Sequence, residues 1–351
     1  MIADDRVPVT VLTGFLGSGK TTVLNRLLAA ADLADTVVII NEFGEIGLDH
    51  LLVERTAEHL TLLNNGCLCC TVRGDLVATI ADLRGRAARG DIARYRRIII
   101  ETTGLADPAP ILHTLMADPA VAEDHRLEGV ITTVDATCGG TTLQTHIEAA
   151  KQVAVADRIL LTKGDIAGAT ATAALRGTLH AMVPGIPVVE IINGHVEPGL
   201  ILDVGLYDPI EKSLDVQRWL HVEAGRTADG HRHHHHHDVN RHDTRIRAHC
   251  LALETPVTWD SFSYWLELMG AMRGEEMLRV KGIVAIAEHP DRPMVIHGVQ
   301  HVFHPAVQLD AWPSADRRTR LVIIARDIPF ALIESTLRRF GQVTGPVCVE
   351  P

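Results

Sequence analysis

The sequence predicts an α/β protein, with a mostly parallel sheet covered by helices followed by a small α+β domain. Three observations predict it. Residues Gly14 to Thr21 read GFLGSGKT directly after the apolar run Val9-Thr10-Val11-Leu12, the strand–loop–helix setting of a phosphate-binding loop. Short β-branched runs then alternate with helix-length segments to about residue 192, as βα repeats do. Beyond residue 245 the pattern changes to alternating strands and a helix bearing Phe262, Trp265, Leu266 and Met269 on one face.

In chain order the predicted strands of the first part are VTVL, VVII from Val37, LTLL from Leu60, IIIE from Ile98, VITTV from Val130, RILL from Arg158 and VVEII from Val188. Several lack polar alternation, as strands buried on both faces do, and ligands collect at the C-terminal ends of such strands. The first domain is therefore set at 1–195. A connector follows over 196–245, with Gly, Pro, charge and the run HRHHHHHDVNRH. The second domain, 246–351, is predicted to hold strands at Ile246 to Leu253, Gly282 to Ala287, Met294 to Phe303 and Leu321 to Ala325. A last helix should carry Phe330, Ile333 and Leu337, with Pro329 in its first turn.

Bulk properties narrow the function classes. A chain of 351 residues, 46% hydrophobic, exceeds one ordinary core. Its formal charge of -11 argues against a phosphate-backbone footprint, so no nucleic-acid partner is expected. No apolar run approaches the ~20 residues that span a bilayer, and the first strand leaves no room for a signal peptide, which predicts a cytoplasmic protein without membrane association. Six cysteines, three within Cys67-Leu68-Cys69-Cys70, do not resemble a secreted disulfide framework.

The phosphate loop needs its residue types. Gly14, Gly17 and Gly19 let the backbone curl, so that N–H groups from Ser18 to Thr22 face phosphate at a helix start. Lys20 supplies a point charge and Thr21 a Mg²⁺ ligand. Glu101 ends the IIIE strand, where an acid supports Mg²⁺ or organises water, and Gly104 follows where a backbone N–H can sense a γ-phosphate. The assigned catalytic set is Lys20, Glu101 and Gly104. Thr162-Lys163-Gly164-Asp165 sits where a guanine-reading loop would lie. The Asp165 carboxylate there accepts from the paired guanine donors that adenine lacks, and Lys163 completes the nucleotide set. GTP is the expected nucleotide.

Thiols beside a helix start have lowered pKa. The helix after the cysteines is expected to begin around Arg73 to Leu76. Cys67, Cys69 and Cys70 with a carboxylate or imidazole suit Zn²⁺, or Co²⁺ at lower intrinsic affinity; a redox pair at Cys67 and Cys70, and buried structural cysteine, are the alternatives. Glu42 or Glu45 in NEFGE is a candidate ligand for Mg²⁺ or for the thiolate-bound metal, against acids that only solvate a turn. His231 and His233, His234, His235, His236 and His237 form either an auxiliary metal-capturing cluster or a passive polar loop.

Taken in order, GFLGSGKTT, NEFGE, GCLCC, ETTGLADP and TKGD, with a histidine-rich loop and a small C-terminal domain, resemble the CobW family of metal-trafficking GTPases. The motif match runs from residue 9 to about 165; the C-terminal half fits by size and pattern. The resemblance implies slow GTP hydrolysis coupled to transfer of Zn²⁺, or Co²⁺ in cobalamin-linked members, to a metal-requiring client protein. Thr162 replaces the asparagine usual in GTPases at the head of the guanine motif. The alternatives are a cobalt-insertion factor, a zinc buffer with a structural nucleotide, and a phosphate-loop kinase supported by Gly14 to Thr21 alone. Apolar strand edges also suit a homodimer.

Overall fold

The structure, a computed structural model, describes residues 5–28, 33, 35–43, 60–65, 70–202 and 245–341. They form two compact units. The first contains β1 (Val7–Gly14), α1 (Lys20–Leu28), β2 (Thr36–Phe43), β3 (Leu60–Asn65), α2 (Cys70–Arg89), β4 (Arg97–Thr102), α3 (Ala109–Ala117) and α4 (Pro119–Ala122). It continues through β5 (His125–Asp135), α5 (Gly139–Thr145), α6 (Ile147–Ala154), β6 (Arg158–Thr162), α7 (Gly164–Ala167), α8 (Ala169–Met182) and β7 (Val188–Glu190).

All seven strands are parallel and stand in the order β3-β2-β4-β1-β5-β6-β7. β-Branched residues fill β1, and both of its faces are covered: Val9 and Val11 are 0% exposed, as are Thr10 and Thr13. Each buried aliphatic side chain of this kind contributes about 1.5–3 kcal/mol, which makes the central strands the rigid frame of the unit. From β1 the chain passes over β4 to reach β2, and from β4 it passes over β1 to reach β5. The crevice at the C-terminal end of β1 is therefore a topological switch point, where open α/β sheets take their ligands. The register Leu12↔Glu101 and Gly14↔Thr133 brings the phosphate loop beside the ends of β4 and β5.

Two local expectations change in this unit. The fifth strand begins at His125, five residues before Val130, and runs on to Asp135. α2 starts at Cys70, ahead of the Arg73 to Leu76 expected for it, and passes through Gly74.

The second unit holds β8 (Ile246–Leu253), α9 (Trp259–Arg273), β9 (Met277–Val284), β10 (Met294–Val299), β11 (Val302–Phe303), β12 (Val307–Gln308), β13 (Thr319–Arg326) and α10 (Phe330–Gly341). Its sheet is antiparallel, β11-β10-β9-β13-β8 with β12 also on β10. Thr258 caps α9 by accepting from Ser261 N. Phe262, Trp265, Leu266 and Met269 of that helix are buried against Val280, Ile323, Ile333 and Leu337.

Here too the sequence expectations are corrected. The strand foreseen at Gly282 to Ala287 runs from Met277 to Val284. The strand foreseen over Met294 to Phe303 is a hairpin, since Gln300 takes φ 54° and reverses the chain between Val299 and Val302. The last helix does carry Phe330, which is 39% exposed and stacks on His249 with ring centroids 5.4 Å apart. Pro329 stands just ahead of α10, leaving Phe330 as its first residue.

Candidate nucleotide site

Gly14, Gly17 and Gly19 have φ values of 145°, 70° and 95°, a backbone path that L side chains resist. Gly14 is the most constrained, because a Cβ there would lie 2.2 Å from Thr133 Oγ1 and 2.5 Å from its carbonyl oxygen. Hydroxyls hold the loop from outside. Ser18 Oγ and Thr133 Oγ1 share a hydrogen bond of 2.6 Å, and Thr162 Oγ1 donates to Ser18 O at 2.8 Å and to Val134 O at 3.2 Å. The loop is thus pinned to β5 and β6. Val23 N donates to Gly19 O at 3.0 Å; the first-turn N–H groups of a helix have no intrahelical acceptor and suit an anion. Lys20, 8% exposed, folds back over the loop and donates to Gly14 O at 3.0 Å and Phe15 O at 3.3 Å.

Two predicted Mg²⁺ residues meet directly. Thr21 Oγ1 donates to Glu101 Oε1 at 2.9 Å, and Glu101 is 4% exposed at the end of β4. A hydroxyl and a carboxylate side by side below the phosphate loop supply the hard oxygen donors that Mg²⁺ takes, so the residues fit that ion. Beside them Thr102 Oγ1 donates to Thr13 Oγ1 at 2.7 Å. Gly104 lies against the phosphate loop so closely that a Cβ would come within 2.7 Å of Leu16 N.

Lys163 takes a left-handed backbone, φ 58°, which turns its side chain across the sheet end. Its ammonium donates to Gly17 O at 2.8 Å and to Asp135 Oδ2 at 2.6 Å. Asp135 Oδ1 accepts from Thr137 N and Oγ1 at 2.7 and 2.6 Å. Burial pushes the Asp135 carboxyl up, yet the Lys163 and Thr137 hydrogen bonds and the lysine charge outweigh it and hold it below the usual range. Asp165 is exposed in the first turn of α7. Lys163 therefore connects the guanine-type turn to the phosphate loop. The sequence reading missed Asp135 and Thr133; the signal was present, since both lie at the end of VITTVD, one strand away from the phosphate loop.

The metal candidates divide differently. Cys67, Cys69, Glu45, His231 and His233 to His237 lie outside the described residues, and Cys70 and Glu42 are described only by their backbone positions, at the start of α2 and in β2. Among the described residues, no three His, Cys, Asp or Glu side chains converge on a metal-sized point. β3 ends at Asn65, paired in parallel with β2, and α2 begins at Cys70.

A glycine loop with its lysine, an acid on the adjacent strand and a TKGD turn, all at one edge of a parallel sheet, define a phosphate-loop GTPase. The chain belongs to the CobW/HypB/UreG family: that nucleotide-binding domain matches residues 8–190, and the cobalamin synthesis protein CobW C-terminal domain matches 246–341. It is 32% identical to the zinc chaperone YjiA of Escherichia coli over 92% of this chain and 95% of that one. With the zinc chaperone CobW of a Sinorhizobium species it shares 30% identity over 91% and 92%. The crystal structure of Zn(II)-bound YjiA GTPase from E. coli superposes with a TM-score of 0.72 at 26% identity, covering 95% of this chain and 99% of that one. Among the described residues no helix is long and apolar enough to cross a membrane.

Proposed function

We propose that this chain is a GTP-hydrolysing metallochaperone that binds Zn²⁺ at Cys67, Cys69 and Cys70 and delivers it to a metalloprotein client under nucleotide control. The single observation that carries the reading is the similarity to zinc chaperones over more than nine tenths of the chain, in a sequence that reads GCLCC at 66–70.

In the reaction, Lys20 would place its ammonium on β- and γ-phosphate oxygens. The loop N–H groups, already fixed by Ser18, Thr133 and Thr162, receive charge without reorganising, which is where phosphoryl transfer gains most of its rate. Thr21 and Glu101 would hold Mg²⁺, which supplies charge neutralisation along the phosphates. Gly104 presents its N–H to the γ-phosphate, and Asp165 reads the guanine edge while the Lys163 stem underlies the base. Glu42 and Glu45 link the nucleotide to the metal: β2 pairs with β4 through Asn41↔Thr102, next to the catalytic acid. Among the metal-binding readings, zinc is favoured over cobalt by the named relatives.

Competition titration of Zn²⁺ and Co²⁺ against a chelating probe, with Mg²⁺ and a non-hydrolysable GTP analogue, with GDP, and without nucleotide, tests this. Expected is tightening of Zn²⁺ by about tenfold with the analogue, or ~1.4 kcal/mol, lost in Cys69→Ser. Linkage requires Zn²⁺ to tighten the analogue by the same factor. Nucleotide-independent Zn²⁺ affinity that survives Cys69→Ser overturns the coupling.

A further inference from the structure

α6 lies beside the loop that follows β4, and two of its side chains grip that loop. Gln152 is 0% exposed, and its Nε2 donates to Gly104 O at 3.1 Å and to Ala106 O at 3.0 Å. The neighbours fix the amide orientation, since two carbonyls require the nitrogen. Next to it, Lys151 Nζ donates to Asp107 Oδ2 at 2.6 Å, while Asp107 Oδ1 accepts from Ala109 N at the head of α3. The helix is anchored in turn, because Thr132 Oγ1 of β5 donates to Gln152 O at 2.8 Å.

The grip acts on a loop with no slack. Gly104 rests on the Leu16 backbone, where a Cβ would come within 2.8 Å of Leu16 Cα. A shift of the Gly104 peptide is therefore a shift relative to the phosphate loop. Gln152 also holds its position at a cost: its Oε1 is buried and accepts no hydrogen bond among the described residues, an arrangement that an apolar side chain of the same size would avoid. An amide there is explained by what its two donors hold.

We infer that Gln152 is a positioning residue for GTP hydrolysis, setting the Gly104 N–H through its carbonyl neighbours, with Lys151 as the second point of the same grip. This rests on the reading of Gly104 as the γ-phosphate sensor. Neither side chain reaches the phosphate loop through a described hydrogen bond, so both act through the loop. Geometric control of this kind is read in turnover more than in binding, since a small misplacement at the reacting end lowers rate while leaving the rest of the nucleotide contacts intact.

The test measures steady-state GTP hydrolysis, GDP affinity and melting temperature for wild type, Gln152→Met, Gln152→Glu, Lys151→Met and Lys20→Ala. Methionine keeps the volume and removes both donors. Expected for Gln152→Met is kcat lower by about tenfold or more, with KM for GTP and GDP affinity within about twofold and melting temperature held or raised. Glutamate, which offers at most one donor to the two carbonyls and only when protonated, should also lower kcat, and Lys151→Met should lower it less than Gln152→Met. An unchanged kcat in Gln152→Met overturns the inference, as does a lower melting temperature with unchanged turnover per folded molecule. If Gln152→Met does not fold, Lys151→Met decides: reduced kcat at constant KM supports the grip and unchanged kcat removes it. Hydrolysis that persists undiminished in Lys20→Ala would instead break the underlying reading of the site.

Discussion

In the first unit one set of polar side chains gathers at the C-terminal edge of the sheet; in the second the buried polar side chains lie within the strands. Lys20, Glu101, Thr133, Asp135 and Thr162 stand at or just beyond the C-terminal ends of four parallel strands. Arg279, His297 and Arg320 are buried in the middle or body of β9, β10 and β13, at 2%, 6% and 6% exposure. Strand direction explains the difference. Parallel strands deliver every C-terminal end to the same edge, so loops distant in sequence converge on one ligand. An antiparallel sheet sends successive loops to opposite edges, and its buried polar residues hold the sheet together instead of opening it to a substrate.

Five substitutions would break or sharpen that contrast. The largest effect is expected of valine at tightly enclosed glycines. Gly14→Val places atoms on Thr133 in a backbone region closed to valine, and should abolish nucleotide binding at a stability cost of about 3 kcal/mol or more. Gly282→Val is equally crowded, its Cβ falling 2.4 Å from Arg320 O, and should destabilise the second unit while GTP affinity of the folded protein is kept. Nucleotide titration beside thermal melting distinguishes them. Loss of GTP binding in folded Gly282→Val would join the two sheets functionally.

Lys20→Ala follows, with hydrolysis reduced by about 100-fold or more and the melting temperature unchanged, as expected when a transition-state donor is removed. Lys163→Met should weaken GTP by about tenfold, because one charge-assisted contact to the loop and one to Asp135 disappear together; isothermal titration checks it. The smallest effect belongs to the second unit. The Arg318 hydrogen bonds hold Asp316 down at about 2 against partial burial, with the Arg320 charge adding to them. A carboxyl lowered on folding stabilises above its ordinary value of 3.8 and loses that contribution as the pH falls toward about 2. Asp316→Asn should therefore cost about 1 kcal/mol or less at pH 7, and chemical denaturation should show the gap closing between pH 4 and pH 2.

The phosphate loop and the strand before it were legible because glycine, lysine and hydroxyl are each demanded by one contact, and VTVL has no polar face to misplace. Asp135 escaped because the strand was read to end at Val134, which left the next residue out of the strand-end acids that included Glu101; its lysine partner stands 28 positions on. Gln152 was hidden for a similar reason: a helical glutamine is ordinary until the helix turns it inward onto two carbonyls. In the second unit the hairpin at Gln300 was missed because the left-handed turn falls on a glutamine, not on glycine or asparagine. Local chemistry announces itself in sequence, whereas partners brought together by sheet order do not.

Lys163 joins two tasks in one ammonium group, since the same nitrogen holds Gly17 of the phosphate cradle and Asp135 beside the base-reading turn. Loss of that one nitrogen, as in Lys163→Met, therefore loosens the phosphate cradle and the end of β5 together, so a single substitution reaches two strands' worth of the site.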